Sequence, residues 1–191
     1  MVREIIIWPD PRLREQAEEV KVVDDAVRKV VDDLFETMYA ANGVGLAAPQ
    51  VGVGRRIITI DTSPKQEGAK PLALINPVIV RSEGETVYQE GCLSIPGESE
   101  DVTRAERVTV RALDRDGSPF EVEGTGLLAI ALQHEIDHLE GTVFVDHVST
   151  LKRELIKRRM KRLKAEREQK KREGGKESTA ETRESRVTPG L

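Results

Sequence analysis

Hydrophobic residues recur in the first part of this chain at two spacings, one typical of helices and one of strands. Between residues 24 and 41 the apolar positions lie three or four residues apart, which predicts an amphipathic helix. Asp24 or Asp25 can cap the start of this helix, and Asn42-Gly43 can end it. Its apolar positions are Val27, Val30, Val31, Leu34, Phe35, Met38 and Tyr39.

Four further stretches have the short apolar runs or the alternation that are typical of strands. Residues 55–61 and 72–80 are rich in Ile, Val and Leu. Residues 107–113 alternate between polar and apolar positions, as expected of a strand with one exposed face. Residues 120–122 are a candidate hairpin partner for that strand.

The pattern changes at about residue 150, where a basic segment begins. A stripe of apolar residues predicts a helix to about residue 165, and the residues beyond Gly174-Gly175 lack any apolar period. We therefore predict a domain over 1–150, a basic C-terminal helix over 151–175 and a disordered tail over 176–191. The apolar stripe is Leu151, Leu155, Ile156, Met160 and Leu163.

Composition and charge narrow the class of protein. The chain has 191 residues, of which 34% are charged and 3% aromatic, and its single cysteine excludes an internal disulfide. No apolar run approaches the roughly 18–20 residues of a membrane span, so we expect a soluble, cytoplasmic protein without a membrane partner. Residues 1–150 carry 15 Lys/Arg and 27 Asp/Glu, whereas residues 151–191 carry 15 and 7. An acidic body with a basic tail suggests different partners for the two parts.

Residues 134–138 read His-Glu-Ile-Asp-His within a second predicted helix, 126–140. Positions i and i+4 share one face of a helix, so His134 and His138 can converge on one metal ion. Glu135 lies close by and can act on a water molecule there without being a ligand. The helix is apolar almost all round, which indicates a buried position. The alternative is a pair of ordinary histidines, since this short motif also arises by chance.

A catalytic metal site has three protein ligands as a rule, so a third must come from elsewhere in the chain. His147 lies nine residues beyond His138 and is better explained as an ordinary loop or surface residue. Cys92 lies in a polar segment that contains glycine, rather than inside an apolar run. Cysteine with two imidazoles makes a good site for a first-row divalent metal, although a lone cysteine is often only a small buried residue.

A third segment, GVGLAAPQ at residues 43–50, combines small residues with Gln50. Small residues let the backbone of a ligand approach closely, and the amide of Gln50 can donate to a polarised carbonyl oxygen. Taken alone, the segment is equally compatible with a tight connection between a helix and a strand.

In their order and spacing, GVGLAAPQ, EGCLS (residues 90–94) and QHEIDHLEG (residues 133–141) closely resemble the signature motifs of bacterial peptide deformylases. The resemblance extends to DPRLREQAEEV near the start of the chain and to RAERVTVRALDRDG before the second helix, and it covers about residues 5–150. It implies that Cys92, His134 and His138 are the metal ligands and that Glu135 is the catalytic acid/base.

The resemblance also implies how the substrate is held. Gln50 and the backbone N–H of Leu93 would bind the formyl oxygen, and Gly45 would hydrogen-bond a peptide lying along the cleft as an added strand. Many bacterial members carry a basic residue shortly after EGCLS, whereas this chain has the acidic stretch 97–101 there. The resemblance therefore does not give the charge of the cleft or its preference for the residues that follow the methionine. The pocket for the methionine side chain would be lined by Val44, Leu127, Ile130 and Ala131.

Together these features predict an α+β metallohydrolase with antiparallel or mixed sheets packed around a central buried helix that bears the HExxH motif. The expected reaction is removal of the formyl group from N-formylmethionyl peptides. Fe²⁺ is the metal implied by the resemblance, and the residues alone would also allow Zn²⁺, Ni²⁺ or Co²⁺. The basic C-terminal segment is expected to bind ribosomal RNA near the nascent-chain exit. Two alternatives are a zinc endopeptidase and an RNA-binding module with a structural metal.

Overall fold

The computed structural model describes residues 1–184, and the side chains of residues 1–166 together with Gln169. Most of the predicted elements are present. The first predicted helix is α1, and the side chain of Asp24 accepts from the backbone N–H of Val27 as its N-cap. The helices are α1 (Asp25–Ala40), α2 (Gly126–Leu139) and α3 (Thr150–Glu184). The strands are β1 (Gly45–Ala47), β2 (Ile57–Ile60), β3 (Leu72–Glu83), β4 (Thr86–Cys92), β5 (Ile95–Arg104), β6 (Arg107–Leu113) and β7 (Pro119–Thr125).

The strands form two antiparallel sheets, which gives an α+β fold. One sheet has five strands in the order β1-β2-β3-β6-β7, and the other is the β4–β5 hairpin. The hairpin was not predicted, because β4 and β5 have many polar and exposed positions and no long apolar run. Cys92, which the sequence places in a polar segment with glycine, is the last residue of β4 and directly precedes a two-residue turn, Leu93-Ser94.

Helix α2 packs against the five-stranded sheet and is buried along most of its length. Ala129, Leu132 and Leu139 are fully buried and share one apolar cluster with Ile58 and Val110 of the sheet. The same helix contacts β7, β1, β2 and β6. Apolar residues on nearly every face of a helix require neighbours all round, which accounts for this burial.

The start of α3 packs on the β4–β5 hairpin through part of its apolar stripe. Ile156 and Met160 are buried with Val102 of β5 and with Phe144, whereas Leu155 is exposed. The helix continues to Glu184, beyond the end predicted at residue 175, and the rest of the predicted tail, 185–191, lies outside the described residues. Within the described part of the chain, no helix has the length and apolarity to cross a membrane.

Candidate active site

Three side chains from two elements bring their donor atoms together beside α2. His134 and His138 lie one turn apart on this helix, and Cys92 reaches them from the end of β4. Their potential ligand atoms all lie within 4.8 Å of one another. Sγ of Cys92 is 3.2 Å from Nε2 of His138. The predicted ligand set is thus assembled at one point.

Charged side chains behind His134 fix its orientation. Oε2 of Glu90 lies 2.8 Å from Nδ1 of His134, and the guanidinium of Arg104 donates to both carboxylate oxygens of Glu90. Burial raises the pKa of Glu90, but hydrogen bonds from His134 and Arg104 outweigh it and lower this pKa to about 2. Arg104 also donates to Asp137, whose Oδ2 lies 2.7 Å from Nε2 of His147. His147, expected to be an ordinary residue, therefore lies at the outer end of this network.

The cluster fits a divalent metal ion by the chemistry of its donors. One sulfur and two imidazole nitrogens are a suitable ligand set for a first-row metal. Burial lowers the pKa of His134, but contacts with Cys92 and Glu90 raise it above its ordinary value, whereas burial next to His134 lowers the pKa of His138. A positive charge on His134 therefore disfavours a second positive charge on His138.

Glu135 lies next to the cluster, and its surroundings favour a carboxyl group that exchanges protons near neutral pH. Burial raises its pKa to about 7, and Oε2 has no hydrogen-bond partner in the part of the chain that the structure describes. Gly45 faces this side chain so closely that a Cβ atom there would lie 2.9 Å from Cδ of Glu135. The position is therefore one where only glycine fits.

Gln50 is fixed beside Cys92 by hydrogen bonds to its neighbours. Its Oε1 accepts from the backbone N–H of Ala47, and its Nε2 donates to Oγ of Ser94 at 3.1 Å and to Sγ of Cys92 at 3.5 Å. An amide nitrogen has two hydrogens, and both have an acceptor here, so a ligand oxygen would have to replace the longer contact with Sγ of Cys92.

A cavity of about 480 Å³ joins these groups. Every predicted catalytic and substrate-binding residue lines it, as do Cys92 and His134. Arg104, Asp137 and Ser94 also support the site. No sequence pattern indicates them, because their partners Glu90, Arg104 and Gln50 are distant in the chain. The predicted residues on the lining are Val44, Gly45, Gln50, Leu93, Leu127, Ile130, Ala131 and Glu135.

A buried helix that bears HExxH and a cysteine that converges on it lie beside a carboxyl group whose Oε2 has no hydrogen-bond partner among the described residues. This arrangement defines the class of protein as a metal-dependent hydrolase.

Comparisons with known proteins give the particular family. Residues 2–154 match the model of the family described as polypeptide deformylase. A peptide deformylase of Alkalilimnicola ehrlichii is 55% identical over 163 residues, which cover 85% of this chain and 90% of that protein. One of Pseudomonas aeruginosa is 52% identical over 159 residues, covering 83% and 94% respectively.

Solved structures of peptide deformylases also resemble this chain. The crystal structure of a peptide deformylase from Legionella pneumophila has a TM-score of 0.82 and 48% sequence identity, and the match covers 87% of this chain and 98% of that one. A peptide deformylase from Ehrlichia chaffeensis in complex with actinonin has a TM-score of 0.81 and 43% identity, with 84% and 96% covered.

The chain belongs to the peptide deformylase family, whose members are metal-dependent hydrolases that remove the formyl group from the N-terminal methionine of nascent polypeptides. This is also the reaction of the present chain. The predicted family, enzyme class and reaction are confirmed, and the endopeptidase and the RNA-binding module are set aside.

Proposed function

We propose that the deformylation takes place at one centre, where Cys92, His134 and His138 hold Fe²⁺. In this proposal α2 is the element around which the two sheets pack. The close approach of the three donor atoms is the observation that carries this assignment. When bound, the metal supplies Lewis acidity, which polarises a carbonyl oxygen and lowers the pKa of water. Zn²⁺, Ni²⁺ or Co²⁺ can substitute, since all accept sulfur and imidazole donors.

Glu135 is the acid/base in this proposal. Its carboxylate takes a proton from the attacking water and later gives a proton to the amine that leaves as the formyl C–N bond breaks. A pKa of about 7 suits both transfers, because the group then accepts and donates protons near neutral pH.

Gln50 and the backbone N–H of Leu93 bind the formyl oxygen, where negative charge develops during attack. Both line the cavity next to Cys92, and the contacts of Gln50 with Ala47 and Ser94 hold its amide in place before substrate arrives. Donors fixed in this way contribute about 10²–10³-fold in rate each at comparable sites.

The peptide lies along β1, which is an edge strand of the five-stranded sheet. Gly45 offers backbone hydrogen bonds there, so the substrate adds as a further strand. The methionine side chain enters the part of the cavity lined by Val44, Leu127, Ile130 and Ala131. These apolar walls and the small Ala131 suit an unbranched chain.

Metal content and activity together test this site. Metal analysis of anaerobically purified protein should find iron, and activity on formyl-Met-Ala-Ser should decay in air but persist longer with Ni²⁺ or Co²⁺. Cys92→Ala should lose the metal. Full metal content in this variant would remove Cys92 from the ligand set.

Ala131→Phe tests the methionine pocket. This variant should raise KM for formyl-Met peptides more than for formyl-Gly peptides, and an equal effect on both would place the pocket elsewhere.

The basic C-terminal segment is proposed to bind ribosomal RNA, which implies a cytoplasmic location. Residues 152–176 hold 13 Lys/Arg against 4 Asp/Glu. Lys152, Arg153, Arg159 and Lys164 pair with acidic residues of the body. Arg158, Lys161 and Arg162 are exposed on the same helix, and such a face can contact RNA phosphates with little base specificity.

Reversing the exposed charges tests this docking. Arg158→Glu, Lys161→Glu and Arg162→Glu in one protein should abolish ribosome co-sedimentation but leave hydrolysis of small formyl peptides intact. Binding by the unaltered protein should fall steeply with salt, because neutralised phosphates release counterions. A matched control reverses three arginines of the five-stranded sheet, Arg81, Arg107 and Arg111. Equal co-sedimentation of both triple variants would overturn the docking role.

A further inference from the structure

The rim of the active-site cavity carries a carboxylate that the reaction does not use. Glu98 lines the same cavity as Gln50, Cys92 and Glu135. Of the other carboxylates on the lining, Glu90 is held by Arg104 and His134, and Glu135 is buried beside the proposed metal ligands. Glu98 therefore has no part in the proposed chemistry, although it lies on the lining of the same cavity.

A register shift in the β4–β5 hairpin places Glu98 there. Gly91 is opposite Ser99, whereas Cys92 is opposite Ile95, so the residues between Ile95 and Ser99 bulge out of the ladder. Gly97 in this bulge has φ +79, a conformation that favours glycine. The bulge starts beside Cys92, and this brings Glu98 to the lining of the cavity.

Helix α3 covers this carboxylate. The Nε and one terminal nitrogen of Arg159 donate to the two carboxylate oxygens of Glu98 at 2.6 and 2.5 Å. Only 14% of the Glu98 side chain is exposed. Arg159 is held in place because the next residue, Met160, is buried in the core with Ile156. The pairing is bidentate, which fixes both position and charge.

We propose that Arg159 is a positioning residue that neutralises Glu98 and so lets the cleft accept peptides of either charge after the formyl-methionine. If the guanidinium is removed, the carboxylate acts on the bound peptide and favours a basic side chain downstream. If the carboxylate is removed, the guanidinium favours an acidic one. Lys65, which is exposed on the cavity lining, supplies a constant positive charge in both cases.

The proposal rests on the peptide path proposed above, and its test distinguishes failure of the role of Arg159 from failure of the deformylase site. Purified Arg159→Ala is assayed with formyl-Met-Ala-Lys, formyl-Met-Ala-Glu and formyl-Met-Ala-Ser. The ratio of kcat/KM for the lysine peptide to that for the glutamate peptide should rise about three- to tenfold. The change should fall on KM rather than kcat, because the charge acts on bound peptide and not on the reacting bond. It should shrink in high salt.

Matched variants make the outcome specific. Arg158→Ala removes the same charge one residue away and should leave the ratio unchanged. Arg159→Lys keeps the positive charge and should give a ratio close to that of the unaltered protein. Glu98→Gln should shift the ratio in the opposite direction, toward the glutamate peptide, and the double variant should return near the original value.

Each result decides one question. The proposal would be overturned if Arg159→Ala and Glu98→Gln changed the lysine-to-glutamate ratio no more than Arg158→Ala does. It would also be overturned if Arg159→Ala and Glu98→Gln shifted this ratio in the same direction. If the unaltered protein had no activity on formyl-Met-Ala-Ser, this would instead contradict the deformylase site itself. If Arg159→Ala fails to fold, Glu98→Gln alone still decides, since the proposal requires its shift toward the acidic peptide.

Discussion

Oε2 of Glu90 lies 2.8 Å from Nδ1 of His134, and this contact leaves Nε2 of the same imidazole as the nitrogen available to a metal. The carboxylate is in turn held by Arg104 through two hydrogen bonds. A carboxylate behind a histidine ligand sets the orientation of the ring and increases its basicity.

Glu90→Gln should therefore weaken metal binding by about 10–100-fold. The amide keeps the size of the side chain but loses the charge that Arg104 and His134 share. Metal affinity, measured by competition with a chelator, checks the prediction. Glu100→Gln is the matched control, because Glu100 lies opposite Glu90 in the hairpin register but pairs with Lys152. Equal affinities for the two variants would contradict the positioning role.

Glu135→Gln should leave the metal bound, since the three proposed ligands remain, while kcat falls by about 10²–10⁴-fold. An amide cannot take a proton from water or deliver one to the leaving amine. Metal content and activity are measured on the same preparation, so that loss of metal is not mistaken for loss of chemistry. Near-normal deformylation by the metal-loaded variant would exclude Glu135 as the acid/base.

Gly45→Ala should reduce activity by about 10²-fold or more, because the new methyl group would collide with Glu135. Glu135 lies on a buried helix and cannot move away freely. Gly54→Ala is the control, since a Cβ there meets nothing within 4 Å. Deformylation assays on both variants distinguish the collision from a general effect of replacing glycine. Similar activities in the two would show that the site accommodates the methyl group.

The parts of this site that could be predicted are those in which chemistry lies within a few residues of the chain. His134 and His138 share a helix face by spacing alone, and three short motifs carried the resemblance that completed the set. The helix spacing likewise predicted α1, and of the two candidate caps, Asp24 and Asp25, the structure has Asp24.

The parts that could not be predicted depend on tertiary pairing. Glu98 and Arg159 are 61 residues apart in the chain, and neither a charge run nor a periodicity links them. The β4–β5 hairpin buries few of its residues, so its strands lack the apolar alternation by which strands are recognised. Arg104 is a charged residue that becomes buried only because Glu90 and Asp137 meet it there.

Asp33 provides a prediction for stability and its dependence on pH. The N-terminal amine of Met1, together with Arg3 and Lys29, holds the pKa of this carboxyl well below its usual range, and only 3% of the side chain is exposed. Because the pKa in the folded state is lower than the roughly 3.9 of an unfolded chain, folding is stabilised above that pH and loses this contribution as the pH falls toward the folded-state pKa.

Asp33→Asn should accordingly lower the free energy of unfolding by about 1–3 kcal/mol at pH 7, and the difference from the unaltered protein should shrink as the pH falls below about 4. Urea unfolding at a series of pH values measures it. Asp32→Asn is the matched control: Asp32 is a half-exposed neighbour that pairs with Arg115 on the surface, and such pairs contribute about 0–1 kcal/mol. A difference for Asp33→Asn that stays constant with pH, or that is no larger than that of Asp32→Asn, would show that the buried carboxylate does not stabilise the fold through its charge.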